Sequence, residues 1–587
     1  MASIVDTLSA RVGAAFEAAG LPAELGQCAE SDRPDLAPYQ CNGAMAAAKI
    51  AKKAPRAVAE DVAAQLQDDP DFETIEIAGP GFLNLTPKAL VYAGQADALA
   101  ADPRVGAGHV ETPRTVMIDF GGPNVAKAMH VGHLRSSVLG DSLQRLMRFL
   151  GEKVVSDIHL GDWGYQMGLL VTELETEQPS LPYFDPEFDG DYPAKPPVTI
   201  QDLSRLYPQA ATKAKEDDDR AAIARKATAE LQAGRRGYRA LLAHFISVSI
   251  AALKQDFDAL GVHFDLWRGE SDVNDLIPGL VEDFKARGVA EKSDGAWIVR
   301  VARNSDKKEL APLILVSSQG AALYGTTDLA TILDRKQTVD PDHIFYVVDL
   351  GQSDHFEQVF RAAYKAGLAE EGALEHIKFG TVNGPDGKRL RTRSGGTFSL
   401  ADLISEALER AKARLNEAGL GAELPAEEFD SVARKVANAA IKFADLQNFR
   451  TTNYIFDLDR FVSFEGKTGP YLLYQAVRIK SILRKAAEKS LDGGPVTISD
   501  PAEATLIRRL DGFDAALKRA YEQRAPNHIC EHVYSLAQAF SSFYGACPIL
   551  PEEDAAIRAS RLTLAKTTLK QLEIGLSLIG LEAPEKM

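Results

Sequence analysis

The chain has 587 residues, and its 83 acidic and 66 basic side chains give a formal net charge of −17. At roughly 100–200 residues per domain, this length predicts about four domains. The composition, 45% hydrophobic and 25% charged, excludes collagen-like, coiled-coil and disordered proteins. The negative charge repels polyanions and argues against non-specific binding to DNA. We therefore expect a folded multidomain protein without a DNA partner.

Neither a membrane span nor an export signal is predicted. The two long uncharged stretches, 310–327 and 533–551, contain Pro, Gly, Gln and Ser or Thr, whereas a span needs ~20 predominantly apolar residues. The N-terminus has no basic lead-in, and charged residues interrupt its apolar run, which is unlike a signal peptide. We expect a cytoplasmic protein with no membrane partner.

The cysteines predict neither a disulfide framework nor a zinc site. They are scattered over the chain with no CxxC pair and no His-rich segment, at Cys28, Cys41, Cys530 and Cys547. In a long cytoplasmic chain this pattern is typical of buried, reduced thiols.

Residues 1 to about 96 are predicted to form a separate small unit. Helical periodicity comes first, and two alternating strands at 74–77 and 82–85 flank the Gly-Pro-Gly turn at 79–81. A linker rich in Ala, Asp and Gly follows.

A β-α-β pattern opens the next unit. The β-rich run 115–120 leads into leucines at helical spacing over 139–150 and then into the strand-like run 154–160. This order predicts a parallel sheet of the nucleotide-binding type. The pattern is interrupted at about 172–250, a proline-rich and then charged insertion with solvated helices. Strands at 296–301, 312–316 and 342–349 resume it, so we predict one discontinuous sheet domain over 112–400.

The remainder is predicted to be all-helical, with no strand. Amphipathic runs at 403–415 and 428–443 indicate a helical stem over 401–465, followed by a helical bundle over 466–587. Two stretches, 476–486 and 555–570, each carry four basic residues and no acid. They suit either a docked phosphate backbone or solvated helix faces.

The most informative motif is Pro-Asn-Val-Ala-Lys-Ala-Met-His-Val-Gly-His-Leu-Arg at 123–135, where the first strand passes into the first helix. Helix N-termini at this edge of a parallel sheet bind phosphates through free N–H groups. His130 and His133 lie on one side of the first turn and can donate hydrogen bonds to a phosphoryl group. Gly132 allows a nucleotide to approach the backbone. Two surface histidines or a partial metal site are the alternatives, but no carboxylate or Cys at ligand spacing completes a metal site.

This segment resembles the His-Ile-Gly-His signature of class I aminoacyl-tRNA synthetases, in the longer form found in arginyl-tRNA synthetases. The similarity covers nearly the whole chain and includes the segments 160–164, 323–328, 384–396, 469–475 and 583–587. It implies a Rossmann-like α/β catalytic domain with an insertion, an N-terminal α/β domain that contacts tRNA and a C-terminal all-helical bundle that binds the anticodon.

The reaction implied by the resemblance activates L-arginine with ATP to arginyl-adenylate and transfers it to the 3′-terminal adenosine of tRNA(Arg). ATP is then a substrate, Mg²⁺ accompanies it, and a monomer is expected. Both steps need positioning and charge stabilisation more than a protein nucleophile. The sequence agrees, since it has no recognisable Ser-His-Asp or Cys-His motif.

A guanidinium substrate calls for an acid that offers two oxygens. Asp328 is the predicted acid, and it lies four residues after Tyr324, so the two side chains share a face of a helix that starts near 325. The resemblance implies that both hold the guanidinium. It also implies that Gln352, Asn124 and the strand-end acid Asp119, where the family has glutamate, hold the other polar groups of arginine. The alternative for Asp328 is a first-turn acid favoured by the helix dipole.

A basic loop replaces the Lys-Met-Ser-Lys-Ser motif of many class I enzymes. Here the sequence is Lys-Arg-Leu-Arg-Thr-Arg-Ser at 388–394, flanked by glycines. Lys388, Arg391 and Arg393 are predicted to close over the triphosphate, and Lys127 to supply the missing ammonium, as the resemblance implies. A solvated basic turn is the alternative.

Four further residues are candidates for tRNA contacts. Tyr544 and Met587 are expected to pack against anticodon bases, since aromatic stacking is a common way to hold unpaired bases. Phe82 and Asn84 are candidates for the tRNA elbow. The alternatives are core packing for Tyr544, a frayed end for Met587 and an edge-strand role for the other two.

Two other protein classes share part of this pattern. A small-molecule adenylating ligase has the sheet and the His-x-x-His turn but no use for the terminal domains. A non-catalytic RNA-binding paralogue leaves His130, His133 and Asp328 without a function. The complete set of motifs favours a catalytic member of the arginyl-tRNA synthetase family.

Overall fold

The N-terminal unit is built on a four-stranded antiparallel sheet. The computed structural model of the protein describes residues 1–384, 386–388, 390 and 398–587. The elements of this unit are α1 (Ile4–Ala18), β1 (Cys28–Glu30), β2 (Tyr39–Cys41), α2 (Gly43–Ala51), α3 (Pro55–Gln65), β3 (Phe72–Ala78), β4 (Phe82–Pro87) and α4 (Ala89–Ala101). The strand order β1-β2-β4-β3 makes β4 a central strand. An edge-strand role for Phe82 and Asn84 is therefore wrong.

A parallel four-stranded sheet carries the second unit. Its elements are β5 (Thr115–Phe120), α5 (Val131–Phe149), β6 (Lys153–Asp157), α6 (Tyr165–Glu177), α7 (Ile200–Glu216), α8 (Asp218–Gln232), α9 (Arg236–Leu260), α10 (Ile277–Ala286), β7 (Glu291–Ser293), β8 (Ala296–Val299), β9 (Leu313–Val316), α11 (Tyr324–Thr338), β10 (His343–Val347), α12 (Ser353–Lys365), β11 (Leu374–His376) and β12 (Val382–Asn383). The order β11-β10-β5-β6, parallel throughout, confirms the predicted nucleotide-binding sheet. The carboxyl ends of the central strands β5 and β10 meet at one edge, where such sheets bind ligands.

Two predicted strands do not join this sheet. β8 and β9 form a separate antiparallel sheet with β7. The reason is local, because Asp294 and Gly295 adopt positive φ angles of 48° and 82° and close a tight hairpin between β7 and β8. The prediction of a single discontinuous sheet is wrong for these strands and holds for β10.

The predicted insertion is helical and packs on α6. It comprises α7, α8 and the first part of α9. Among the described residues, α9 alone has the length and composition to cross a membrane. Its Leu241, Phe245, Leu253 and Phe257 are buried inside the protein, as in an amphipathic core helix.

The C-terminal part is helical, as predicted, apart from one two-residue strand. Its elements are α13 (Leu400–Glu417), α14 (Ala426–Leu446), β13 (Tyr454–Ile455), α15 (Leu458–Phe461), α16 (Gly469–Glu488), α17 (Pro501–Asp511), α18 (Phe513–Glu522), α19 (Asn527–Ala546) and α20 (Ala555–Leu578). β13 pairs with β12 in parallel. The expectation of no strand after residue 400 is wrong here. A strand of two residues is too short to show an alternating hydrophobic pattern in the sequence.

A buried lysine joins the end of the chain to α5. Lys442 of α14 is 1% exposed and donates a hydrogen bond to the Gly580 carbonyl (3.0 Å). Its ammonium is 3.7 Å from the Asp141 carboxylate of α5, and Ser142 donates to the Leu578 carbonyl (2.9 Å). Burial lowers the pKa of Lys442 to about 8. The helix that follows the His-x-Gly-His motif is thus fixed to the C-terminal bundle.

Gly580→Ala is expected to lower the free energy of unfolding by about 2–4 kcal/mol, through backbone strain and displacement of a buried ion pair. Gly580 has a φ of 69°, and a Cβ there would lie 2.6 Å from Lys442 Nζ and 2.9 Å from Asp141 Oδ2. Urea unfolding measures the change. Gly367→Ala is the matched control, since Gly367 has a φ of 68° with no atom within 4 Å of its Cβ position. Equal losses of unfolding free energy in the two variants would contradict the explanation that crowding at Lys442 causes the effect.

Candidate active site and RNA-binding residues

The loop between β5 and α5 is fixed at the carboxyl edge of the parallel sheet. The Gly121 N–H donates to Ser136 Oγ of α5 (2.8 Å), and that hydroxyl donates to the Val347 carbonyl at the end of β10 (2.6 Å). A parallel bridge joins Asn124 to Gly161, in the loop after β6. The N-terminus of α5 therefore opens at the edge where parallel sheets bind phosphates.

His130 and His133 cap the start of α5 through their own rings. The Nδ1 atom of His130 accepts from the Gly132 N–H (3.0 Å), and Nδ1 of His133 accepts from the His130 N–H (3.1 Å). The rings stack with centroids 4.0 Å apart. Burial, then repulsion from His130 and Lys127, lowers the pKa of His133 to about 3. Since each Nδ1 is an acceptor, each ring carries its proton on Nε2 and can donate from that atom.

The position of the His130 ring leaves no room for a Cβ at residue 132, so glycine is required there. A Cβ at Gly132 would lie 2.6 and 2.7 Å from His130 Cε1 and Nδ1. The sequence suggested that this glycine makes room for a nucleotide. In the structure, the His130 ring, which caps the helix, occupies the space next to the Gly132 backbone.

Two residues of the helical insertion contact the loop between β5 and α5. Ala126 has a φ of 66°, and its N–H donates to the buried hydroxyl of Ser249 in α9 (2.9 Å). The Lys127 ammonium lies 4.4 Å from the centre of the Tyr207 ring in α7, a cation–π contact. Lys127 therefore has a neighbour from the insertion, and its predicted contact with ATP stays a prediction.

Asn124 lies between two loops of the sheet edge. Its Oδ1 accepts from Gln166 Nε2 (3.3 Å), and a Cβ at Gly161 would lie 2.3 Å from this oxygen. The amide thus occupies space that only glycine leaves open. Its predicted role toward arginine stays a prediction.

A cavity of about 260 Å³ opens beside the motif. It is lined by the start of α5 and by residues after β10 and β11, namely His130, Val131, Gly132, Arg135, Asp349, Phe379, Gly380, Thr381, Val382 and Leu390. Such a partly apolar cleft next to a helix N-terminus suits a nucleoside and its phosphates.

Asp328 and Tyr324 share one face of α11, as predicted. Tyr324 is the first residue of the helix and is 66% exposed, and Asp328 lies one turn later. The Asp328 carboxylate accepts from His355 Nε2 of α12 (2.6 Å). This hydrogen bond raises the pKa of His355. Gln352, just before α12, is exposed.

A second carboxylate near Asp328 was not predicted. Glu270 begins the 3-10 helix Glu270–Leu276, which packs on α11. Burial, then repulsion from Asp328 and Asp162, raises the pKa of Glu270 to about 8. No periodicity or motif marks Glu270 or His355 in the sequence, because chain folding alone brings them to Asp328.

Asp119 is paired with an internal arginine. It is 8% exposed, and its carboxylate lies 2.6 Å from Arg335 Nη2, which also contacts Asp157 at 2.9 Å. Burial outweighs this pairing and raises the pKa of Asp119. Within the described part of the chain, Nε and Nη1 of Arg335 have no hydrogen-bond partner. No motif or spacing in the sequence marks Arg335 as the partner of Asp119. The predicted contact of Asp119 with arginine stays a prediction.

Of the cations in the predicted basic loop, Lys388 lies among the described residues. Lys388 is exposed, its N–H donates to Asp386 Oδ1 (3.0 Å), and its carbonyl accepts from the Gly384 N–H (2.7 Å). Arg391 and Arg393 lie outside the described residues.

The four candidate tRNA contacts differ in accessibility. Phe82 is half-buried, whereas Asn84 is 5% exposed and its Oδ1 accepts from Gln40 (2.9 Å). Tyr544 is half-buried, and the Arg478 guanidinium lies 4.6 Å from its ring centre. Met587 packs against the core, so the frayed-end alternative is wrong.

Of the eight basic residues in the two stretches, three form ion pairs within the described part of the protein, namely Lys480, Arg561 and Lys566. Lys480 contacts Glu573 (2.9 Å) and Glu585 (2.6 Å), and buried Arg561 contacts Glu503 (2.9 Å). Neither cation is a solvated helix-face charge, and neither is free to meet a phosphate.

Three family models match successive parts of the chain. They are the arginyl tRNA synthetase N-terminal domain at residues 4–86, the catalytic domain of class I (R) tRNA synthetases at 96–458 and the DALR anticodon-binding domain at 472–587. The fold resembles the arginyl-tRNA synthetases of Plasmodium falciparum (TM-score 0.80) and Thermus thermophilus (TM-score 0.77), each 23% identical and covering 100% of both chains. The fold and site define a class I aminoacyl-tRNA synthetase.

Relatives that are similar over their full length identify the family within this class. The arginine–tRNA ligases of Maricaulis maris, Hyphomonas neptunium and Francisella tularensis subsp. novicida are 67%, 58% and 45% identical over 588, 590 and 593 residues, with 100% of both chains covered. The chain belongs to the arginyl-tRNA synthetase family. It is an ATP-dependent ligase for arginine and tRNA(Arg), which confirms the predicted fold class and reaction.

Proposed function

We propose that Asp328 and Glu270 bind the guanidinium of arginine between them, with Tyr324 on the same face of α11. The observation that carries this assignment is the packing of the 3-10 helix that begins with Glu270 against α11, which presents Asp328 on the face it shares with Tyr324. Repulsion from Asp328 contributes to the raised pKa of Glu270. A planar cation with five donors neutralises such a pair and bonds both. Gln352, Asn124 and Asp119 at the neighbouring strand ends are proposed to hold the remaining polar groups of arginine.

ATP is proposed to lie in the cavity beside His130, Gly132 and His133. Both imidazoles can donate from Nε2, and the N-terminus of α5 adds a positive dipole end, so negative charge that develops on phosphate is stabilised there. Lys127, Lys388, Arg391 and Arg393 are proposed to supply cations for the triphosphate. Among the described residues no group of three or more His, Cys, Asp or Glu can hold a metal ion. We propose that Mg²⁺ arrives on ATP, held by phosphate oxygens and water.

For tRNA, we propose Phe82 as an elbow contact, with Asn84 positioning its strand, and Tyr544 with Met587 at the anticodon. The proposed domains are 1–96, 112–400 with the insertion at about 172–250, 401–465 and 466–587. The enzyme is proposed to act as a cytoplasmic monomer, without membrane or DNA partners.

The affinity for arginine is expected to rise as pH increases from about 7 to about 9, by up to about tenfold per unit below the Glu270 pKa. Glu270 is protonated below a pKa of about 8, and the guanidinium binds its carboxylate, so binding releases a proton. Calorimetric titration with arginine measures the effect. Glu270→Gln should flatten the profile, while Glu282→Gln, whose side chain is 73% exposed on α10, should retain it. An equal slope in Glu270→Gln would contradict the assignment.

ATP–pyrophosphate exchange with each amino acid, with and without tRNA, tests the proposed site as a whole. Among the amino acids, only arginine is expected to support exchange. Truncation after residue 465 should abolish tRNA charging, because the anticodon-binding bundle is lost. Equal exchange with lysine would contradict the guanidinium site, since an ammonium cannot bond two carboxylates through a planar fork.

A further inference from the structure

The two cysteines of the N-terminal unit face each other across adjacent strands. Cys28 of β1 and Cys41 of β2 are directly opposed in an antiparallel register, and both are buried free thiols. The Cys28 N–H donates to Ser9 Oγ (2.9 Å) rather than to the facing strand. Opposed residues without mutual ladder bonds have Cα atoms about 4.5 Å apart, and disulfides span Cα separations of about 4.4–6.8 Å.

The sulfurs also lie on the same side of the strand pair. Cys28 Sγ is 3.4 Å from the Gly26 carbonyl, and Cys41 Sγ is 3.4 Å from the Leu25 carbonyl. The interaction between the two neighbouring thiols raises the pKa of Cys28 and lowers that of Cys41. The Gly43 N–H favours the Cys41 thiolate further.

A small oxidant can approach Cys28, one member of this pair, through a cavity. A space of about 750 Å³ separates the N-terminal unit from the C-terminal bundle, and its lining includes Cys28, Glu30, Arg509 and Asp511. Most buried cysteines are inert because no reagent approaches them. Cys530 illustrates that situation, since it is fully buried in α19 and does not line this cavity.

We propose that Cys28 and Cys41 are a site of reversible oxidation, at which hydrogen peroxide converts the two thiols to a disulfide. One sulfur attacks peroxide, the O–O bond breaks, and a sulfenic acid forms with release of one water. The second sulfur attacks the sulfenic sulfur, the S–S bond forms, and a second water leaves. Two thiols lose two electrons and two protons, and one peroxide is reduced to two waters. A dithiol reverses the step by exchange.

The bond would lie at the contact between the N-terminal unit and the bundle. Glu30, two residues after Cys28, pairs with Arg509 of α17 (3.1 Å). A disulfide would close a ring over residues 28–41 and restrict the unfolded chain. The oxidised protein should therefore melt at a higher temperature than the reduced protein.

The test treats the full-length enzyme with hydrogen peroxide and then counts thiols under denaturing conditions. The four thiols of the chain should fall to two, and dithiothreitol should restore all four. Mapping needs cleavage after Glu30, because Arg33-Pro34 resists trypsin and leaves both cysteines in one tryptic peptide. The linked Cys28 and Cys41 peptides should weigh two hydrogen atoms less than their sum.

Cys530→Ala is the matched control and should lose two thiols like the native sequence, whereas Cys41→Ala should give no linked peptide. Retention of all four thiols, a sulfinic acid on Cys28 or Cys41, or a Cys530–Cys547 link would overturn the proposal. The peptide map of the native sequence decides the matter even where a variant fails to fold.

Discussion

Asp328→Ala is expected to reduce kcat/KM for arginine by about 10³-fold, because removing one partner of a hydrogen-bonded charge pair that the bound substrate buries typically costs about 2–5 kcal/mol. The substrate guanidinium would enter a site where one of two carboxylates is missing and His355 has lost its acceptor. Steady-state aminoacylation and arginine binding measure the loss. KM for ATP should change little, since Asp328 does not line the cavity beside His130.

Asp354→Ala is the matched control for this experiment. Asp354 lies in the first turn of α12, is 82% exposed and is 3.9 Å from Lys308. An exposed pair of this kind contributes little, so kcat/KM should stay within about twofold of the native value. Undiminished charging by Asp328→Ala would remove the central assignment of the site.

Gly132→Ala is expected to lower kcat by at least about 10²-fold, since displacement of catalytic groups by about 1 Å has effects of this size. The new Cβ would lie 2.6 Å from the His130 ring, which caps α5 and stacks on His133. Both rings must move, so their Nε2 donors no longer face the phosphates as a pair. Pre-steady-state formation of arginyl-adenylate measures the chemical step directly.

Gly279→Ala separates this effect from a general effect of alanine. Gly279 lies inside α10, and nothing is within 4 Å of its Cβ position. The variant should keep native activity, because helix propensity alone favours alanine there. A Gly132→Ala enzyme with native kcat would show that the rings have room to shift and that their stacking is not needed.

The fold follows from the sequence wherever the determining contacts are local. The strand at 115–120, the helical leucine spacing after it and the next strand predict the parallel sheet and the position of α5. Helices α13 and α14 follow from their amphipathic runs in the same way. The pattern predicts the strands β8 and β9 but places them in the wrong sheet, because strand residues specify the extended conformation but not the neighbouring strand.

The sequence by itself determined the family, the parallel catalytic sheet, the paired His130 and His133 and the common face of Tyr324 and Asp328. Each of these depends on residues a few positions apart, so strand and helix periods place them. Only the tertiary structure brought Glu270 and His355 to Asp328, Arg335 to Asp119 and Cys28 to a cavity beside Arg509. Those residues come from separate elements of the chain. The distances between them are set by the burial of the shared core, and this burial produces no periodic pattern in the local sequence around each residue.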